Sequence, residues 1–194
     1  MLSAEPLRAR HRALGCAVLV VVLIAGCGTS GPGSSSRAIV KSRVPAHASR
    51  HSLAALRSEA NQLLGGGVNA FSARLVGLRG YAVVVNVWAS WCPPCRAEFP
   101  YFQKVSAQLS RREAFVGVDT LDSSSAAHRF LAQFPVSYPA YEDPSGAVGR
   151  RIGTLGGVPV TAFYDRRGRL VYLHRGPYTS ERQLLGDIAQ YSRV

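Results

Sequence analysis

The stretch that most constrains the fold is the passage from an apolar, β-branched run into a close pair of cysteines. Tyr81-Ala82-Val83-Val84-Val85-Asn86-Val87-Trp88-Ala89 leads into Trp91-Cys92-Pro93-Pro94-Cys95 and leaves through Arg96-Ala97-Glu98-Phe99-Pro100. The apolar run reads as a strand buried on both faces, as inside a parallel sheet. Beyond Cys95 the period changes, because Phe99, Phe102, Val105 and Leu109 recur at helical spacing. A helix therefore begins at or just before the cysteines and places both thiols on one face, close enough to bridge. Cys92 falls where unpaired backbone N–H groups and the positive end of the helix dipole favour an anion. That environment lowers a thiol pKa from about 8.5 towards roughly 3.5–7.5. An attacking thiolate with a partner thiol to release the mixed disulfide is the minimum apparatus for thiol–disulfide exchange. Half a zinc site is the first alternative, but a structural zinc wants four ligands and no second pair or suitably spaced histidines follow. A static disulfide is the second, and prolines between cysteines at a strand-to-helix junction fit it poorly.

The chain has 194 residues, room for one domain with appendages. Residues 1–26 read as a signal peptide: Arg8, Arg10, His11 and Arg12 form a basic start, followed by an uncharged apolar stretch from Ala13 to Ala25. That stretch is shorter than the about 20 residues a membrane span needs. It ends in Leu23-Ile24-Ala25-Gly26-Cys27, which resembles the lipobox of bacterial lipoproteins, with Cys27 lipidated as the mature N-terminus. An uncleaved anchor helix is the alternative. Residues 27–51 then form the lipidated end and a Gly/Ser-rich tether, and residues 52–194 the folded domain. Of the four cysteines, only Cys92 and Cys95 remain free in the mature chain, so the domain is expected to lack a structural disulfide.

The formal net charge of +12 falls to +10 once Arg8, Arg10, Arg12 and Glu5 leave with the signal. The excess is scattered arginine without aromatic interleaving, which argues against nucleic acid as a partner. Anionic lipid headgroups, or simply water, are the expected neighbours of that charge.

Elsewhere Leu53, Leu56, Ala60 and Leu63 or Leu64 give a helical stripe stopped by Gly65-Gly66-Gly67, and Val68–Phe71 reads as a short edge strand. Ala114–Val118 is the next buried strand, and Ala126–Phe134 a helix with Phe130 and Leu131 inward. Pro135, Pro139 and Pro144 interrupt the following segment, and Ala147–Ile152 makes a turn or two of helix. Val160–Tyr164 and Leu170–His174 are strands of a hairpin about Asp165-Arg166-Arg167-Gly168. Ser180 and Gln183 make a capping box opening a last helix, with Leu184, Leu185, Ile188 and Ala189 on its buried side. The order predicts an α/β sandwich: a central mixed sheet, parallel first and antiparallel at its end, with helices on both faces. The five histidines share no spacing and read as surface residues.

Residues 83–100 and Gly157-Val158-Pro159-Val160-Thr161-Ala162-Phe163-Tyr164-Asp165 resemble the thioredoxin superfamily, in particular its tethered extracytoplasmic branch, TlpA-like or ResA/DsbE-like. The resemblance covers about residues 64–194 and implies a thioredoxin-like fold. It implies that Cys92 is the nucleophile, Cys95 the buried resolving thiol, and Pro159 a cis-proline packed against their disulfide. The backbone of Val158 pairs with the substrate chain, and Trp91 and Pro93 complete the substrate-binding edge. Trp88 and Trp91 pack around and shield the thiols. Pro100 matches a proline that kinks the active-site helix. Where classical thioredoxins carry a buried aspartate this chain has Asn86, which cannot take a proton. The tethered branch often carries a carboxylate three residues after the second cysteine, and Glu98 stands there, one helical turn past Cys95. An ordinary exposed helix glutamate is the alternative reading of Glu98.

The resemblance further implies a membrane-tethered thiol–disulfide oxidoreductase, extracytoplasmic and lipid-anchored to the bacterial cell membrane. It would be a monomer with no metal and no cofactor beyond the redox-active Cys92–Cys95 disulfide. Its partners would be exported protein thiols and disulfides and an integral-membrane electron-relay protein. Its direction leans towards reduction, as in cytochrome c maturation. A disulfide oxidase or isomerase is the alternative. A copper carrier or thiol peroxidase on the same fold fits less well, because copper carriers place three residues between the cysteines and no peroxidatic Pro-x-x-x-Thr segment precedes Cys92.

Overall fold

The computed structural model describes residues 52–155 and 157–193. The expected signal peptide, Cys27 and the tether lie outside the described residues. The described chain runs α1 (Leu53–Ser58), β1 (Leu63–Leu64), α2 (Gly67–Gly77), β2 (Val83–Trp88), α3 (Pro93–Leu109) and β3 (Ala114–Thr120). It continues through α4 (Ser124–Gln133), β4 (Ala140–Asp143), α5 (Ala147–Ile152), β5 (Val160–Tyr164), β6 (Leu170–Arg175) and α6 (Glu181–Tyr191). Six strands form one sheet in the order β1-β4-β3-β2-β5-β6. The pairs β1–β4, β4–β3 and β3–β2 are parallel, while β2–β5 and β5–β6 are antiparallel. This is the expected α/β sandwich, parallel at one side and closed by the predicted hairpin at the other.

β2 lies near the middle of the sheet and every residue of it is buried. Its side chains alternate between two cores, as strand geometry requires. Val83, Val85 and Val87 join a cluster with Leu53, Leu56, Phe71, Val148 and Ile152 from α1, α2 and α5. Val84 and Trp88 point the other way, into a cluster built with Phe99, Phe102, Phe130, Leu184 and Ile188 from α3, α4 and α6. Trp88 stacks on Phe130 at 4.7 Å and meets Phe99 edge-on at 5.2 Å, while Phe99 meets Phe130 edge-on at 4.6 Å. Such pairs contribute about 0.5–1.5 kcal/mol each beyond burial, so this triangle fixes α3 and α4 against the end of β2. Gly117 on β3 makes room for it, since a Cβ there would lie 3.2 Å from Trp88 Nε1 and 2.8 Å from Ala140 Cβ.

Four points of the sequence reading need correction. Val68–Phe71 belongs to α2 and not to an edge strand; the edge strand is β1, formed by the two leucines assigned to the preceding helix stripe. Helix α1 stops at Ser58, and Asn61 with φ of 61° turns the chain so that Leu63 and Leu64 pair with Ala140 and Tyr141. β4 itself had no place in the sequence reading, because Pro139 and Pro144 mark its two ends and read as breakers. On α6, Ala189 is exposed and Leu185 only half-buried, so Leu184 and Ile188 alone are the fully buried pair. Helix α3 continues through Pro100, whose missing N–H leaves the Arg96 carbonyl without its i+4 donor.

Candidate functional site

The site forms where β2 ends and α3 begins. Cys92 is the N-cap of α3, and its Sγ accepts a hydrogen bond of 3.1 Å from the Cys95 N–H. Pro93 and Pro94 occupy the first helical positions, where the absent N–H groups would have had no helical partner in any case. Cys92 and Cys95 are joined by a disulfide with their Cα atoms 5.3 Å apart. In this oxidised form both are covered, Cys92 at 2% exposure and Cys95, the expected buried thiol, at 0%. Trp91 is 56% exposed, with its Nε1–H donating 3.0 Å to the Leu121 carbonyl, and Pro93 is exposed beside it. Antiparallel pairing of Val160 with Val87 brings Pro159 alongside the end of β2. The Val158–Pro159 bond is cis, Pro159 is buried, and half-buried Val158 packs against the core cluster that contains both cysteines.

Glu98 is a full turn into α3 and has no exposed surface. The exposed-glutamate reading is therefore wrong: the amphipathic face that carries Cys95, Phe99 and Phe102 carries Glu98 with it. Its Oε1 accepts from Asn86 Nδ2 at 3.1 Å, and its Oε2 from the Tyr178 backbone N–H at 2.9 Å. Burial pushes its carboxyl up to about 7, against the opposing pull of those two donors. The Asn86 Oδ1 has no partner, so a flipped amide could instead accept a proton-bearing carboxyl. Asn86, the fourth of the six residues of β2, thus suits either charge state of Glu98. Tyr138 adds a buried hydroxyl without a partner, pushed well above its usual pKa by burial and by the Glu98 charge.

Tyr178 and its neighbours escaped the sequence reading. Its ring stacks on His174 at 4.0 Å, its hydroxyl donates 2.8 Å to Asp187 Oδ2, and His174 Nδ1 lies 3.2 Å from the same oxygen. His174 is thus packed and half-buried, contrary to the surface reading. Nothing local signals these contacts, because β6, the following loop and α6 meet only on folding.

The family described as Redoxin matches residues 54–188. The chain is 30% identical over 125 residues to Thiol-disulfide oxidoreductase ResA of Oceanobacillus iheyensis, covering 63% of this chain and 65% of that protein. It is 40% identical over 99 residues to a Thiol:disulfide interchange protein DsbE homolog of Paracoccus denitrificans, covering 50% and 52%. A secreted Mycobacterium tuberculosis disulfide oxidoreductase homologous to E. coli DsbE superposes with a TM-score of 0.53 at 27% identity, covering 58% of this chain and 84% of that one. The match spans between about half and just under two thirds of the curated relatives' length.

Glu98 gives a stability test. Unfolded, its carboxyl titrates near 4.3; folded, it titrates at about 7. Between those values folding takes up a proton, so the contribution of Glu98 to stability is greatest below the unfolded pKa and declines as pH rises to the folded one. Urea unfolding of the oxidised protein should lose stability from pH 5 to 7, and Glu98→Gln should remove one proton's share, about 1.4 kcal/mol per pH unit. Parallel slopes for the two proteins would mean that Glu98 folds ionised.

Proposed function

The chain belongs to the Redoxin family, and we propose that it is a thiol–disulfide oxidoreductase that exchanges disulfides with exported proteins through Cys92 and Cys95. The observation that carries this reading is the arrangement at α3: a disulfide at the helix N-terminus with a fully buried carboxyl one turn behind it. A helix glutamate held at zero exposure is costly to keep charged, and a group titrating at about 7 is suited to exchange protons near neutral pH.

In the reducing direction the cycle begins with both cysteines as thiols. The client docks along Val158 and Pro159, flanked by Trp91 and Pro93. The Cys92 thiolate attacks one client sulfur; the client S–S bond breaks and a client thiolate leaves, taking a proton. Cys95 gives its proton to Glu98 and attacks the Cys92 sulfur of the mixed disulfide. The Cys92–Cys95 bond forms as the second client thiolate departs and is protonated. Two electrons pass to the client, and an external dithiol relay restores the pair.

The reductant lean has a physical basis. The oxidising power of such a pair grows with the stability of its thiolate. Pro93 and Pro94 withhold two backbone N–H groups, and Cys95 N–H is the donor that reaches the Cys92 sulfur. Oxidation or isomerisation of client disulfides is the alternative on the same residues.

We also read residues 1–26 as a signal peptide, Cys27 as the lipidated N-terminus, 27–51 as tether and 52–194 as the catalytic domain. The support is the Leu23-Ile24-Ala25-Gly26-Cys27 pattern before a Gly/Ser-rich stretch. On this reading the domain works outside the cytoplasm at the membrane, and an integral-membrane protein is its source of electrons.

Three measurements check these readings. Cys95→Ser should accumulate mixed disulfides with exported proteins, whereas Cys92→Ser should accumulate none; trapping by Cys92→Ser alone would reverse the roles. Equilibration with dithiothreitol buffers should give a potential nearer −270 mV than −120 mV, and a value more oxidising than about −180 mV would make the protein an oxidase or isomerase. Intact mass of the membrane-bound protein should show a lipidated chain beginning at Cys27. A Cys27→Ala form found membrane-bound with residues 1–26 still attached would point to an anchor helix.

A further inference from the structure

The loop Ala89-Ser90-Trp91, which delivers Cys92 to the start of α3, is held from outside its own segment. The Ser90 N–H donates to Asp122 Oδ2 at 2.6 Å, and the Ser90 carbonyl accepts from Arg96 Nη1 at 3.3 Å. The Trp91 indole N–H donates to the carbonyl of Leu121, the residue before Asp122. Leu121 has φ of 54°, a left-handed conformation that costs a non-glycine residue roughly 1–2 kcal/mol. Its N–H donates 2.9 Å to the Asp143 carbonyl, which ties the turn to β4. The Asp122 side chain is further fixed by the Ser123 N–H, 2.7 Å from Oδ1. This turn, bent at a conformational cost, aims one carboxylate at the backbone two residues before the reactive sulfur.

Behind it stands a second carboxyl with no evident reason to be there. Asp119, near the end of β3, is 2% exposed and lies in register between Trp88 on β2 and Glu142 on β4. Of the acids that act on its carboxyl, Asp122 acts most strongly, and the Asp119 Oδ1 has no partner among the described residues. The charged groups facing it are Asp122 from the turn and Glu142 and Asp143 from β4. Arg96, the nearby cation on α3, is turned to the Ser90 carbonyl, to Gln133 and to the rings of Phe130 and Phe134. Two neighbouring carboxyls, one of them buried, resist ionising together. Asp122, with backbone donors from Ser90 and Ser123, is the one held below the usual carboxylate range. Burial, then the surrounding acids, push Asp119 up to about 8.

We propose that Asp119 and Asp122 are a proton-sharing carboxyl pair that positions the cysteine loop: the proton on Asp119 holds Asp122, and ionised Asp122 holds Ser90. Both are positioning residues, acting on Cys92 through the backbone of Ser90. Loss of the Asp119 proton sets two carboxylates against each other, and Asp122 gives up Ser90. The loop before Cys92 then loosens in alkaline solution. This deepens the reading of Cys92 as the attacking thiol and rests on it, but the clamp is observable without any client.

The test uses two readouts on oxidised and reduced protein from pH 6 to 9.5: hydrogen-exchange protection of the Ser90 amide, and the equilibrium constant of the Cys92–Cys95 pair with glutathione. Asp119→Asn replaces the shared proton with an amide donor that does not titrate. The wild-type protein should lose Ser90 protection by about tenfold or more across pH 7–9, beyond the intrinsic rise in exchange, as befits losing a hydrogen bond to a charged group. Asp119→Asn should keep that protection, and its equilibrium constant should diverge from the wild-type value only in the alkaline range. If Asp119→Asn does not fold, Asp122→Asn decides in its place, because its amide oxygen still accepts from Ser90 and no second charge can form. Protection that follows the same pH course in the wild type and in the folded variant overturns the proposal. Failure of the client-trapping experiment with these pH effects intact would overturn the functional reading and leave the clamp standing.

Discussion

A buried, hydrogen-bonded carboxyl is the interaction on which the site depends. Glu98 belongs to α3, its Oε1 is held by Asn86 of β2, and its Oε2 by the Tyr178 N–H ahead of α6. Three segments far apart in sequence therefore meet on one side chain. Burying a carboxyl without partners costs several kcal/mol, so each of those segments must be in place for the helix to dock at all. Correct seating of the cysteine helix and correct assembly of that face of the sheet become one event. The same two donors oppose the burial that raises its pKa, leaving it close to neutrality, where a proton acceptor for Cys95 is useful.

Around the disulfide the charge is mixed: Arg96 meets the Ser90 carbonyl and Asp122 the Ser90 N–H, while burial pushes Glu98 and Asp119 towards their neutral forms. The withheld N–H donors of Pro93 and Pro94 disfavour a thiolate, and a disfavoured thiolate favours the disulfide. A pair arranged in this way gives up electrons readily, which supports the proposed reducing direction.

Much of this was legible in the sequence, because it depends on local pattern. The β-branched run of β2, the helical period after Cys95, the Asp165–Gly168 turn and the Ser180 cap each act within a few residues, and each element formed as its pattern required. The spacing of Cys92 and Cys95 brings their Cα atoms to 5.3 Å wherever such a helix begins. The sequence also placed Glu98 one turn behind Cys95, but not inside the protein. A glutamate on a helix has the same local pattern whether its face meets water or a core.

Folding decided the rest, since the remaining contacts run between strands and loops that share no local signal. β4 is a strand because it pairs with both β3 and β1, while its flanking prolines read as interruptions. The triglycine was a stop signal in sequence but became the entry to α2, with the strand on its other side, because Leu63 and Leu64 gain backbone partners at the sheet edge. Nothing local joins Asp122 to the cysteine loop until parallel pairing sets β3 beside β2 and brings its carboxylate to the Ser90 N–H. The sequence by itself determined the pair of sulfurs, the strand and helix that hold them, and the α/β class. Which carboxyls are buried, and which of them can keep a proton, was decided only by the tertiary structure, because burial comes from packed elements and the two donors to Glu98 come from residues 12 and 80 positions away.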